Sequence, residues 1–123
     1  MPDTAVILAV DHNRRNLDLL THFLGQAGYQ TRIASSLVEF DQALAQADNL
    51  GLALVDIAGF DRSIWERCQR LREQKIPFLV LSPKQSAAIQ QVSLSHGARS
   101  VLVKPLVLKE LLGLIHSLLE EDG

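Results

Sequence analysis

The 123-residue sequence contains a single cysteine, Cys68, and no apolar run that approaches the roughly 20 residues needed to span a bilayer. Cys68 has no second thiol for an internal disulfide or a metal clip, so we expect a buried, reduced cysteine in a cytoplasmic protein. The N-terminal segment lacks the basic region and cleavage pattern of a signal peptide. With a net charge of −2 and no run of basic residues, the composition argues against nucleic-acid or membrane binding.

Several motifs of cofactor binding and catalysis are also missing. The first predicted turn, "DHNRRN", has no glycine for a dinucleotide site, and the chain contains neither a P-loop nor a G-x-S-x-G serine elbow. The spacing of His22, His96 and His116 fits no metal site, alone or with Cys68, so we expect surface or helix-end histidines. Trp65 is interpreted as a partly buried packing residue.

The length is that of one domain, 1–123, with a single core. Five short apolar runs alternate with segments of helical periodicity, and near-continuous apolar strands are typical of a parallel sheet covered on both faces. We predict an α/β fold, (βα)5, with a doubly wound, flavodoxin-like parallel sheet of strand order 2-1-3-4-5. The predicted strands are Ala5–Val10, Tyr29–Ala34, Leu50–Val55, Phe78–Leu81 and Ser100–Val103.

Helix boundaries are marked by Ser36 with Glu39, which form a capping-box pattern, and by Gly28 and Gly97 at predicted helix ends. The segment 85–96 has only Ala88, Ile89 and Val92 to bury. It is expected to be a weakly packed surface helix.

A polar residue follows four of the predicted strands: Asp11, Asp56, Ser82 and Lys104. In a doubly wound sheet these residues share the carboxyl edge, where such folds bind ligands. Two facing carboxylates suit Mg²⁺, and a lysine with a hydroxyl suits phosphoryl oxygens, so the set is typical of phosphoryl transfer. Taken singly, the aspartates could cap turns, Ser82 could cap a helix, and Lys104 could be a solvated charge.

The same residues resemble a response-regulator receiver domain over the whole chain. "ILAVDHNRRNLDLLTHFLGQAGYQTRIASS" is similar to the family's first strand, acidic pair, first helix and second strand. "LALVDI" resembles the phosphoacceptor strand, "IPFLVLS" the fourth strand with its hydroxyl, and "GARSVLVKP" the fifth strand with Lys-Pro.

The resemblance implies a non-enzymatic signalling domain with Asp56 as phosphoacceptor, Ser82 and Lys104 contacting the phosphoryl group, and a cis Lys104–Pro105 bond. It implies an Mg²⁺ cofactor held by Asp11, Asp56 and the backbone carbonyl of Ala58. The implied partners are a sensor histidine kinase or a histidine phosphotransfer protein, with a homodimer through the fourth helix, fifth strand and fifth helix.

Three positions depart from the family pattern: His12 replaces the second acid, Gly59 and Phe60 replace a Met-Pro pair, and Val101 replaces the switch aromatic. Imidazole is a poor Mg²⁺ ligand, so metal affinity should fall. One hypothesis is that His12, aided by Lys84, pairs with Asp56 in place of the metal. The alternative is that His12 caps the following turn while Mg²⁺ still binds through the aspartates.

Three functional classes therefore remain. The first is a receiver domain phosphorylated on Asp56 with weakened Mg²⁺ dependence, whose switch runs through Ser82 and the fourth helix. The second is a pseudo-receiver that binds a partner or dimerises without phosphorylation. The third is a small flavodoxin-like enzyme or ligand-binding domain that uses the same edge.

Overall fold

The computed structural model describes residues 5–121. Within this range five parallel strands form one sheet in the order β2-β1-β3-β4-β5, as predicted. The strands are β1 Val6–Val10, β2 Gln30–Ala34, β3 Leu50–Asp56, β4 Phe78–Ser82 and β5 Ser100–Val103. The helices are α1 Arg14–Gln26, α2 Leu37–Ala45, α3 Ile64–Glu73, α4 Ala87–Ser95 and α5 Leu108–Glu121. The predicted (βα)5 alternation is therefore confirmed.

The side chains of alternate residues in the central strands pack into two separate cores, one on each face of the sheet. Leu8 and Val55 pack with residues of α2 and α3, whereas Ile7 and Leu54 pack with residues of α1 and α5. Because both faces of these strands are covered, their sequences are almost wholly apolar. Cys68 of α3 is free and fully buried, as expected, and burial raises the pKa of its thiol to about 12.

The helix boundaries follow local capping chemistry. The Ser36 hydroxyl accepts a hydrogen bond from the Glu39 N–H. The Glu39 carboxylate in turn accepts a hydrogen bond from the Ser35 N–H rather than from the Ser36 N–H. The predicted capping box is thus present with its second bond moved by one residue. Helices α1 and α4 end two residues before Gly28 and Gly97, as expected.

Helix α4 is weakly packed, as predicted: Ile89 and Val92 are half-buried, but the one fully buried residue is not among the three expected. Ser93 is fully buried and donates its hydroxyl proton to the Ile89 carbonyl, whereas Ala88 is exposed. Intrahelical bonding of this kind lets a small polar side chain face a core. No helix within residues 5–121 is long and apolar enough to cross a membrane.

Candidate functional site

The four predicted site residues lie at one edge of the sheet. Asp56 and Ser82 are the last residues of β3 and β4 rather than the first residues beyond them, because each still pairs with its neighbouring strand. Asp11 follows Val10, which is level with Val55, and the Lys104 N–H donates to the Ser82 carbonyl. Parallel pairing therefore brings all four to nearly the same level.

The Asp56 carboxylate is buried, with 1% of the residue exposed, and its two oxygens have different partners. Oδ1 accepts a hydrogen bond of 3.0 Å from the Ala58 N–H, in the loop that follows β3. Oδ2 forms an ion pair with the Lys104 ammonium, whose side chain is 30% exposed. The lysine thus supplies a counter-charge for a carboxylate that solvent hardly reaches.

Asp11 adjoins Asp56 and is also buried, with 7% exposed. Burial raises the pKa of Asp11, and the negative charge of Asp56 raises it further, against the opposing effects of the Asn13 N–H and Lys104. The Asn13 N–H donates to Asp11 Oδ1 at 2.8 Å, so the turn-capping interpretation of Asp11 is realised as well. The site therefore holds two mutually repelling carboxylates beside one ammonium group.

These three side chains line a cavity of about 520 Å³ that opens between α1 and the start of α5. Asn16 adds a carboxamide to its polar lining, and its walls are apolar: Leu19, Leu20, Phe23, Leu106 and Leu108. The cavity therefore has a floor with one more negative than positive side chain, under walls that are mainly apolar.

Ser82 lies at the same edge, but it does not line the cavity, and its hydroxyl bonds a backbone carbonyl. It is fully buried and donates to the Lys84 carbonyl at 2.7 Å. The exposed side chain of Lys84 does not line the cavity, so the expectation that Lys84 adds a second cation to the site is not supported. Asp11, Asp56 and Lys104 form the assembled site, and Ser82 is adjacent to it.

His12 neither pairs with Asp56 nor caps the following turn. Its ring meets the Phe60 ring edge-to-face, with centroids 5.8 Å apart and planes at 78°, and it lies against Gly59. No ion pair or hydrogen bond joins His12 to Asp56, both of which are within the described range, since Asp56 is paired with Lys104. The cap of α1 is Asn13, which accepts the Asn16 N–H, so His12 does not cap the turn.

The residues present fit an Mg²⁺ ion that retains much of its water shell. Within residues 5–121 no three His, Cys, Asp or Glu side chains come close enough to hold a metal. Asp11 and Asp56 offer two carboxylates, and a backbone carbonyl such as that of Ala58 would complete the protein ligands. Burial, and after it the charge of Asp56, raises the pKa of Asp11, and two carboxylates beside one ammonium group favour a cation at this position.

The structure also adds residues that sequence reasoning missed. Phe60 was noted only as a departure from the family pattern, and Asn16 was not singled out. The sequence held no signal for the contact between Phe60 and His12, which are far apart in the chain. The Lys104–Pro105 peptide bond is cis, as the resemblance implied.

Comparison with known proteins places the chain in a family. Residues 7–116 match the profile of the response regulator receiver domain, and the chain belongs to this family, that of the receiver domains of two-component response regulators. It is 32% identical over 117 residues to the transcriptional regulatory protein GltR of Pseudomonas aeruginosa, covering 92% of this chain and 48% of that protein. It is 33% identical over 115 residues to the response regulator MprA of Mycobacterium leprae, covering 92% of this chain and 50% of that protein.

Among solved structures, the CheY-like receiver domain from Methanospirillum hungatei is similar, with a TM-score of 0.82 and 27% identity, covering 97% of this chain and 96% of that one. The chain spans about half the length of these two curated relatives. Membership of a signalling family favours the two receiver interpretations over the enzyme interpretation.

Proposed function

We propose that Asp56 accepts a phosphoryl group from the phosphohistidine of a sensor histidine kinase or a histidine phosphotransfer protein in the cytoplasm. Residues 1–123 would act as a single non-enzymatic receiver domain. The observation that carries the proposal is the Asp56 carboxylate on the floor of the 520 Å³ cavity, beside Asp11 and paired with Lys104. The exposed side chains of Leu19 and Leu108 at this cavity would contact the phosphodonor protein.

In the transfer, a carboxylate oxygen of Asp56 bonds to phosphorus while the phosphorus–nitrogen bond breaks and its electron pair leaves with the imidazole. Lys104 would move from Asp56 Oδ2 to the incoming phosphoryl oxygens, so its charge is kept in the site. Mg²⁺ held by Asp11, Asp56 and the Ala58 carbonyl would neutralise phosphoryl charge when bound. With His12 in place of a second acid, Mg²⁺ dependence would be weak.

The switch would run through Ser82 and α4. Ser82 would release the Lys84 carbonyl and donate to a phosphoryl oxygen, which would pull the segment between β4 and α4. Val101 has no ring to follow this movement, and α4 is held by few buried side chains. We therefore expect phosphorylation to change mainly the position of α4.

Intact-mass measurement after incubation with a small acyl phosphate and Mg²⁺ tests the phosphoacceptor. We expect one phosphoryl group on the wild type and none on Asp56→Ala. We also expect one on Asp61→Asn, which alters an exposed carboxylate in the loop between β3 and α3. No mass gain on the wild type, or a gain that survives Asp56→Ala, would refute the proposal.

A pseudo-receiver that acts without phosphorylation is the second candidate. It is favoured by His12 in place of a second acid and by a Ser82 hydroxyl that is already bonded to the Lys84 carbonyl. This candidate predicts the absence of phosphoryl uptake together with partner binding that Asp56→Ala leaves intact.

A homodimer through α4, β5 and α5 forms part of either function. The exposed apolar side chains of Leu94 and Val103 on α4 and β5 support it. Light scattering should show Val103→Glu shifting a wild-type dimer to monomer, whereas Val38→Glu, on the exposed side of α2, should not. A monomeric wild type, with and without phosphodonor, would exclude the dimer.

A further inference from the structure

The contact between His12 and Gly59 is close and depends on the glycine. Gly59 has φ +86°, a left-handed conformation that side chains other than hydrogen disfavour. A Cβ atom placed on Gly59 would lie 3.1 Å from Cβ, Cγ and Cδ2 of His12. The imidazole therefore lies directly on the backbone of the β3–α3 loop, and it also contacts the Phe60 ring edge-to-face.

The loop under this ring directly follows Asp56, the last residue of β3. Its first turn is closed by the Ala58 N–H on Asp56 Oδ1 and by the Phe60 N–H on the Ile57 carbonyl at 3.3 Å. One end of the loop is thus fixed by the carboxylate, and the other end is covered by the His12 ring. Displacing the ring would remove the packing that opposes opening of this turn.

Phe60 also reaches a second region of the molecule. It lines a cavity of about 620 Å³ between α3 and α4, together with Trp65, Ile89 and Val92. Trp65 stacks on His96 at the end of α4, with centroids 5.4 Å apart and planes at 25°. His96 Nδ1 lies 2.8 Å from the Val92 carbonyl oxygen, which fixes the imidazole to α4.

We propose that His12 is a positioning residue whose ring clamps the β3–α3 loop, fixes the Ala58 N–H on Asp56, and couples this loop through Phe60 to the groove between α3 and α4. His12 then contributes ring packing where the family pattern has a metal-binding carboxylate. The inference deepens the proposed function, because the loop it positions is that of the proposed phosphoacceptor. It also assigns an aromatic route from the site to α4 that does not require a ring at Val101.

Residue-resolved amide hydrogen exchange tests the clamp without requiring phosphorylation. We expect His12→Phe, which keeps a ring, to retain wild-type protection at the Ala58 and Phe60 amides. His12→Ala and His12→Gln, which lack a ring, should raise exchange there by about tenfold, the factor that 1.4 kcal/mol of local stability gives. His22→Ala, an exposed histidine of α1, is the matched control and should change neither amide.

The variants separate ring packing from imidazole chemistry. If His12→Phe exchanged as fast as His12→Ala, the imidazole nitrogens rather than the ring would fix the loop, and the clamp would be refuted. Equal protection in the wild type and the three His12 variants would refute it as well. His12 is exposed, so these variants should fold, and the Val80 amide in the central sheet reports whether they do.

Trp65 tests the coupling, because it is the only tryptophan in the chain. His12→Ala should shift the Trp65 emission spectrum, and the same substitution in a Phe60→Leu background should not. A shift that persists without the Phe60 ring would overturn the route through Phe60. Failure of phosphoryl uptake in the intact-mass assay would remove the proposed function while leaving both of these results interpretable.

Discussion

The two oxygens of Asp56 contact two regions that differ in chemistry. Oδ2 pairs with Lys104, which together with Asp11 forms what we call the charged half of the site, where charged groups interact in a largely buried setting. Oδ1 faces the loop half, formed by His12, Ala58, Gly59 and Phe60, where one backbone hydrogen bond is supported by ring packing. The charged half follows the family pattern and the loop half departs from it.

The two halves are thus held by different kinds of interaction, charge in one and packing in the other. In the charged half, each group is defined by its charge, so substitution changes the electrostatic balance at once. In the loop half, the proposed clamp makes the position of the Ala58 N–H depend on the packing of the His12 ring. The halves should therefore respond differently to substitution.

The largest expected effect is in the charged half. Lys104→Met should lower the free energy of unfolding by about 2 kcal/mol, because it leaves the buried Asp56 carboxylate without a counter-charge, and partial exposure of the lysine limits the loss. Urea denaturation measures this change. Lys109→Met, an exposed lysine of α5, should stay within about 0.5 kcal/mol of wild type. A Lys104→Met loss no larger than that of Lys109→Met would show that the ion pair does not stabilise the fold.

The next effect is in the loop half. Gly59→Ala should lower the free energy of unfolding by about 1–2 kcal/mol, because alanine disfavours the left-handed backbone at this position. Contact with His12 should lower it further. In a His12→Ala background the part of the contact cost that comes from Cγ and Cδ2 of the ring should vanish, while the cost from Cβ and from the backbone remains. Gly113→Ala, inside α5 with no atom within 4 Å of the added Cβ, should instead stabilise by about 0.5–1 kcal/mol. An equal cost of Gly59→Ala in both backgrounds would contradict the packing of His12 on the loop.

A third substitution, at position 12, replaces the ring of the loop half with a carboxylate. His12→Asp should tighten Mg²⁺ binding by about tenfold, since it adds a carboxylate near Asp11 and Asp56. It should also loosen the loop, because the ring is lost. Calorimetric Mg²⁺ titration measures the first effect, with His22→Asp as the control for a carboxylate elsewhere on the surface. Unchanged affinity and phosphoryl uptake would mean that His12 is not the limiting defect.

The smallest expected effect concerns Asp11. Because burial and Asp56 raise the pKa of Asp11 in the folded state, its ionisation destabilises the fold as the pH rises through that raised pKa. Asp11→Asn keeps the oxygen that accepts the Asn13 N–H and should be more stable than wild type near neutral pH. Thermal unfolding should show this gain disappearing below the ordinary pKa of 3.8, where both states are protonated. Asp18→Asn on the exposed side of α1 is the control, and a pH-independent gain would contradict the argument.

Much of the charged half could be predicted from the chain. The apolar runs indicated a parallel sheet, and a parallel sheet necessarily brings Asp11, Asp56 and Lys104 to one edge. The loop half could not be predicted in the same way. The orientation of His12 depends on φ at Gly59 and on the position of Phe60, and neither residue has a periodic pattern that fixes its direction.

Ser82 and Ser93 illustrate the same limit. The position of Ser82 at the end of β4 followed from the pattern, but its hydroxyl bonds the Lys84 carbonyl because the chain turns back there. Ser93 is buried in α4 because its hydroxyl has an intrahelical acceptor, the Ile89 carbonyl, which polarity alone does not reveal. Rotamers and hydrogen-bond partners depend on which neighbours are close in space.

The sequence by itself determined the order of strands and helices, the capping residue of α2 and the edge at which the acids and the lysine collect. These features follow from short-range periodicity and from the rules of parallel sheets, which act on residues close in the chain or on whole strands. Only the tertiary structure decided that Lys104 neutralises Asp56 and that His12 lies on Gly59 and Phe60. Such contacts join residues more than 40 positions apart through single side-chain orientations, and these are fixed only when the surrounding elements are packed.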